Sequence, residues 1–138
     1  DLQLTLSVSL HAPDDETRSR LMPANRGRGV DELMDCCRRY YRKTGRRISF
    51  EYAMIDGVND TEYHARLLAK RAKDVSAHVN LIPLNHVEER EFRPSTEGHM
   101  KAFIRVLENE GVNVTVRRKL GGDVDASCGQ LRRKMQKK

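Results

Sequence analysis

The groups with the reactivity and placement to do chemistry lie in three short runs: Ser9-Leu10-His11, Asn85-His86, and the stretch GGDVDASCGQLRRK at 121–134, which holds Cys128. Cys128 sits behind glycines and acids and ahead of a run of bases. Asp125 or Ser127 can cap a helix starting there, and a helix N-terminus favours a thiolate, as do nearby Arg117, Arg118 and Lys119. Asp123 and Asp125 act in the opposite sense. Gly121, Gly122 and Gly129 let the backbone swing or approach a ligand closely. Such a thiol is a nucleophile or a carrier of a transferred group. His11 is a base or ligand contact in one reading and a hydrogen-bonded structural group in the other. Asn85 either contacts a ligand or closes a turn after Pro83. The adjacent Cys36 and Cys37 point about 100° apart on a helix, cannot grip a metal together, and read as packing.

The elements that must position these runs follow from hydrophobic period. Leu2, Leu4, Leu6, Val8 and Leu10 alternate with Gln3, Thr5, Ser7, Ser9 and His11, which predicts a strand with one polar face. Pro13-Asp14-Asp15 stops it and opens a short helical piece to about Met22. A helix capped by Asp31 and closed by Gly45 is expected next, with Leu33, Met34, Cys37, Tyr40 and Tyr41 inward. RRISFEYAMI predicts a second strand, DGVND a turn, and Asp60 the cap of a helix to about Asp74. AHVNLIPLN predicts a third strand whose pairing ends at Pro83. Ser95 opens a helix carrying Met100, Phe103, Ile104 and Leu107 at helical spacing, Gly111 closes it, and VNVTVRR is a fourth strand.

Strands alternating with helices of this length make right-handed crossovers, hence a parallel α/β sheet with its site on the loops after the strands' carboxyl ends. The runs at Ser9, Asn85 and Lys119–Cys128 should converge on that rim. Buried parallel strands normally read apolar on both faces, yet the first three each carry a polar face, marked by Ser9, Glu51 and Asn80. A curved sheet or partial barrel around a polar, ligand-filled cavity explains that pattern; a half-open sheet with a solvated face is the alternative.

Bulk properties narrow the class. The chain has 138 residues, 38% of them hydrophobic and 33% charged, enough for one domain. It contains no apolar run near the roughly 20 residues a membrane span requires, and the alternating start is unlike a signal peptide. Beginning at Asp1 inside a strand, it reads as a piece of something longer. The net charge of +6 fits a polyanionic partner such as ribosomal or transfer RNA, or solubility alone. Three cysteines form neither a disulfide framework nor a metal quartet and point to a reducing cytoplasmic setting.

The stretches SLHAPDD, FEYAMIDGVND, HVNLIPLN and DVDASCGQL together resemble the radical S-adenosylmethionine methyltransferases that methylate carbon 2 of adenine in large-subunit ribosomal RNA and transfer RNA. The resemblance covers essentially the whole chain, in order. It implies the C-terminal half of a partial (β/α)6 barrel: residues 1–118 as barrel, and 119–138 as a mobile segment carrying Cys128 and a basic tail. It further implies that Ser9, Leu10, His11 and Asn85 line the S-adenosylmethionine site, and that Cys128 carries the methyl group as S-methylcysteine. In that family a second S-adenosylmethionine is cleaved at a 4Fe-4S cluster, fed by an electron donor such as flavodoxin. The resulting 5′-deoxyadenosyl radical takes hydrogen from the S-methyl group, the carbon radical adds to the electron-poor base, and another cysteine resolves the adduct through a disulfide. The cluster motif C-x3-C-x2-C, the resolving cysteine and an upstream acidic residue are absent and would precede Asp1, so the chain alone is expected to be inactive. Three other readings stand beside this one: the sister branch acting at carbon 8, a cysteine hydrolase or transferase with His11 or His86 as base, and a non-catalytic RNA-binding module.

Overall fold

The computed structural model describes residues 5–22, 29–84 and 92–117. Four parallel strands, β1 (Leu6–Ser9), β2 (Ile48–Met54), β3 (His78–Pro83) and β4 (Val114–Val116), lie side by side in chain order. Between them run α1 (Asp15–Leu21), α2 (Val30–Thr44), α3 (Glu62–Asp74) and α4 (Glu97–Asn109). The parallel α/β fold class expected from the alternating pattern is therefore present, with every crossover moving one strand along the sheet.

Strand alternation decides which face is covered. Ile48, Phe50, Tyr52 and Met54 of β2, with Val79 and Leu81 of β3, point to the helices and are buried. Against them pack Val30, Met34 and Cys37 of α2, Ala65, Leu68, Ala69 and Ala72 of α3, and Phe103 and Leu107 of α4. The alanines of α3 bring that helix close to the central strands, while Phe103 fills the space beside Tyr52 with its ring 5.4 Å away. The other face carries Ser7, Ser9, Ser49, Glu51, His78, Asn80 and Thr115, none of them buried, and no helix of the described residues covers it.

Several local expectations are corrected. The first strand does not run unbroken to His11: it ends at Ser9, and His11 turns into the left-handed region at φ 58°. Asp31 does not cap α2; Gly29 holds that position, and the first amide is met by Asp15 Oδ1 at 2.6 Å to Val30 N. Asp31 instead takes a hydrogen bond from Arg71. A Cβ on Gly29 would stand 3.2 Å from that Asp15 oxygen, so the closeness of this cross-helix cap favours glycine. Thr61, not Asp60, caps α3, and Thr96, not Ser95, caps α4. Tyr41 faces outward rather than into the core, and of the paired cysteines only Cys37 packs; Cys36 is exposed. Cys36 and Cys37 are free, and the described residues contain no disulfide. No helix of the described residues is long and apolar enough to cross a membrane.

Candidate functional site

The carboxyl end of β1 is held by side chains rather than by a continued ladder. Leu10 N and His11 N both donate to Glu51 O, at 3.0 and 3.3 Å, and Ala12 N turns back to Leu10 O at 2.7 Å. Arg18, only 8% exposed, reaches from α1 to donate through Nε to Leu10 O at 3.1 Å and through Nη2 to Ser9 O at 3.3 Å. The run Ser9-Leu10-His11 is thus fixed on its carbonyl side by a buried guanidinium. Burial lowers the pKa of that guanidinium, and Asp15 partly restores it.

His11 is fixed as well. Its Nδ1 accepts the backbone N–H of Ala53 at 2.9 Å. A backbone amide only donates, so Nδ1 is unprotonated and the neutral ring carries its proton on Nε2. Burial, then the charge of Arg18, pushes the His11 pKa below the usual histidine value, against a smaller opposing pull from Glu51. The ring is a donor at Nε2 and has no free lone pair with which to take a proton from a thiol. His11 as the base of a cysteine hydrolase does not fit this geometry; His86 lies outside the described residues.

The polar face beside it is a connected network. The Glu51 carboxylate accepts from Ser49 Oγ at 3.0 Å, Asn80 Nδ2 at 2.9 Å and Arg117 Nη2 at 3.0 Å. Thr115 Oγ1 donates to Asn80 Oδ1 at 3.0 Å and lies 2.8 Å from His78 Nε2. The network spans β2, β3 and β4 and ties Arg117, just past β4, back to the middle of the sheet. Three acceptor bonds on one carboxylate explain how a charged group sits in the centre of a sheet face: protein donors take the place of water on both oxygens.

Of the residues singled out from the sequence, Ser9, Leu10 and His11 stand together at the carboxyl edge of β1, Leu10 inward and Ser9 on the polar face. Asn85 and Cys128 lie outside the described residues, as does 118–138, the start of the expected C-terminal segment included. Sequence reasoning missed Arg18 and Asn59. An arginine inside the stop-and-cap segment after β1 was a usable signal for the first. Nothing local distinguished Asn59 from any other turn asparagine.

Two residue sets bear on metals. Cys36 is exposed on α2 and Cys37 is buried in the core, so the cysteines of the described residues cannot ligate an iron-sulfur cluster. Asp56, Asp60 and His99 gather at the β2–α3 loop and the start of α4, with His99 Nδ1 3.5 Å from Asp56 and 3.4 Å from Asp60. Both Asp60 oxygens are already engaged, Oδ1 by Gly57 N at 2.9 Å and Oδ2 by Ser95 Oγ at 2.5 Å, so this cluster reads as a pin between loop and helix.

No family model matches the chain. Curated relatives do, over nearly all of it. The probable dual-specificity RNA methyltransferase RlmN of Caldanaerobacter subterraneus is 54% identical over 134 residues, 97% of this chain and 39% of the relative. That of Desulforamulus reducens is 50% identical over 137 residues, covering 99% and 39%, and that of Bacillus velezensis 51% identical over 133 residues, covering 96% and 37%. The chain thus spans well under half the length of the relatives it matches. Among solved structures, a radical SAM methyltransferase from Sphaerobacter thermophilus superposes with a TM-score of 0.84 at 45% identity, over 94% of this chain and 38% of that one. A domain of a pyruvate-formate lyase-activating enzyme from Bacteroides vulgatus shares the fold, with a TM-score of 0.66 at 18% identity, over 83% of this chain and 67% of that one. With four parallel strands, outer helices and this depth of identity, the chain is similar over nearly its whole length to probable dual-specificity RNA methyltransferases and to a radical SAM methyltransferase.

Proposed function

We propose that the chain is part of an enzyme that methylates carbon 2 of adenine in large-subunit ribosomal RNA and transfer RNA, with Cys128 carrying the methyl group as S-methylcysteine. The observation that carries the reading is the 54% identity, over 97% of this chain, to a probable dual-specificity RNA methyltransferase; Ser9-Leu10-His11 stands at the open edge of a polar sheet face. S-adenosylmethionine is the methyl source, held by Ser9, Leu10, His11 and Asn85. The residues present suit it: a hydroxyl, a neutral Nε2–H donor that adds no positive charge beside a sulfonium, and a face of polar side chains for a ribose and an amino acid. Cys128 serves as the nucleophile: its thiolate takes the methyl group of one S-adenosylmethionine and S-adenosylhomocysteine leaves.

The 4Fe-4S cluster of the family supplies one-electron cleavage of S-adenosylmethionine when bound. The described cysteines do not fit it, so its ligands, the resolving cysteine and the contact with an electron donor such as flavodoxin belong to the rest of the enzyme. Residues 1–118 act as barrel wall and 119–138 as the carrier segment, whose bases meet RNA phosphates while the target base is presented out of its stack.

Intact and peptide mass spectrometry of the whole methyltransferase, purified with its cosubstrate, checks this. An added methyl group mapping to Cys128, lost in Cys128→Ala together with RNA methylation, is the expected result. An unmodified Cys128 under turnover, or undiminished methylation by the variant, refutes the carrier role. Nucleoside analysis of the product distinguishes carbon 2 from carbon 8.

A further inference from the structure

His11 is a non-glycine residue in the left-handed region, a strained conformation that survives only where the surroundings over-determine it. The group that does so is Asn59, fully buried at the end of the β2–α3 loop. Its Nδ2 donates to His11 O at 2.7 Å and to Ala53 O at 2.7 Å, and its Oδ1 accepts from Ile55 N at 2.8 Å. Its own carbonyl accepts the hydroxyl of Tyr52 at 2.6 Å. The amide orientation follows from these partners, since the reverse would set an acceptor against two carbonyls and a donor against an amide N–H.

Asn59 and the His11 ring act on the same residue from its two sides. Asn59 holds the carbonyl of Ala53, and the N–H of Ala53 holds His11 Nδ1. One amide thus fixes the backbone turn of His11 and anchors Ala53, the residue whose N–H selects the His11 tautomer.

We propose that Asn59 is a positioning residue of the cosubstrate site, locking the turn at His11 so that the imidazole is presented to S-adenosylmethionine as an Nε2–H donor. The inference rests on the reading that His11 lines that site. Asn59 touches no substrate itself. It acts through His11 and Ala53, so its loss should change cosubstrate affinity and the state of the His11 ring while leaving the helices in place.

The test uses the whole methyltransferase. S-adenosylmethionine binding is measured by calorimetry for the unaltered protein, Asn59→Asp, Asn59→Ser and His11→Ala. Nitrogen NMR of histidine-labelled, cluster-free protein reads the His11 tautomer. Asn59→Asp keeps the volume and the acceptor for Ile55 but sets a carboxylate oxygen against two carbonyls. It is expected to weaken binding about tenfold or more, what losing one neutral hydrogen bond amounts to, and to shift the His11 ring nitrogens with an unchanged circular dichroism spectrum. Folded Asn59 variants with unaltered affinity and unaltered His11 signals overturn the proposal, while weakened binding in His11→Ala keeps the cosubstrate reading intact. Unaltered affinity in His11→Ala sinks that reading instead. Should both Asn59 variants fail to fold, the unaltered protein decides: an Nε2–H ring upholds the arrangement, and an Nδ1–H ring refutes it, because Ala53 N–H would then face a protonated nitrogen.

Discussion

Tyr52 shows how much one buried hydroxyl does at the edge of this site. Its ring belongs to the core beside Phe103, and its hydroxyl is the partner of Asn59 O. Burial, then the charges of Asp14 and Asp60, raises the phenol well above its ordinary pKa, so it stays a donor across the accessible pH range. Tyr52→Phe keeps the ring and leaves a buried carbonyl without its partner. The expected cost is about 1–2 kcal/mol, read as a lower urea midpoint with an unchanged slope; no change would mean that the Asn59 loop relaxes freely. Much of the residue scale was legible: the alternation in 48–54 assigns Tyr52 inward and Glu51 to the polar face, and both stand there. That Tyr52 reaches Asn59, or that Glu51 gathers Asn80 and Arg117, was not, since those partners lie on other segments.

Helix caps display the same division at the scale of elements. Both α3 and α4 begin where polar residues cluster, and in both the capping residue is one position later than the pattern suggested. The physical reason lies in competition for Asp60 and Ser95. These bond each other across the loop at 2.5 Å, and Asp60 also holds Gly57 N, leaving Thr61 and Thr96 to meet the free amides. The two caps should differ in strength. Thr61 accepts from His64 N at 3.3 Å and pairs with His64 Nδ1 at 2.7 Å in a part-buried setting, whereas Thr96 makes one exposed bond, from His99 N at 3.1 Å. Thr61→Ala is expected to cost about 1–2 kcal/mol and Thr96→Ala about 0.5–1 kcal/mol. Equilibrium unfolding checks the order, which equal losses would contradict.

Protonation couples these parts over the whole molecule. His11, His64 and His78 all have pKa values lowered from 6.5, in each case first by burial. For His11 the charge of Arg18 adds and Glu51 opposes; for His64, Asp14 and Asp60 oppose; for His78, Arg47 adds and Glu51 opposes. A folded histidine that refuses a proton its unfolded form accepts makes the unfolded state bind more protons, so stability rises with pH. Their contribution is fully present above 6.5, falls as pH drops through that value, and levels off below the lowered folded values. Urea midpoints are expected to decline between about pH 7.5 and pH 5.5, and His64→Gln, which sits between Thr17 and Thr61 beside Asp14, should flatten part of that slope. An identical slope in the variant would remove His64 from the account.

What the amino-acid order determined unaided was everything with a local period: the strands and helices, the parallel α/β class, the face of each strand that meets the helices, and the grouping of Ser9, Leu10 and His11 at a strand end. Family resemblance was legible for the same reason, as it rests on contiguous runs. Only the tertiary structure decided that Asn59 holds His11 from 48 positions away, that Asp15 caps the helix after its own, and that Glu51 anchors Arg117. Periodicity tells which way a side chain points, but a hydrogen bond needs a partner within about 3 Å, and which distant residue arrives there depends on how the whole chain is packed.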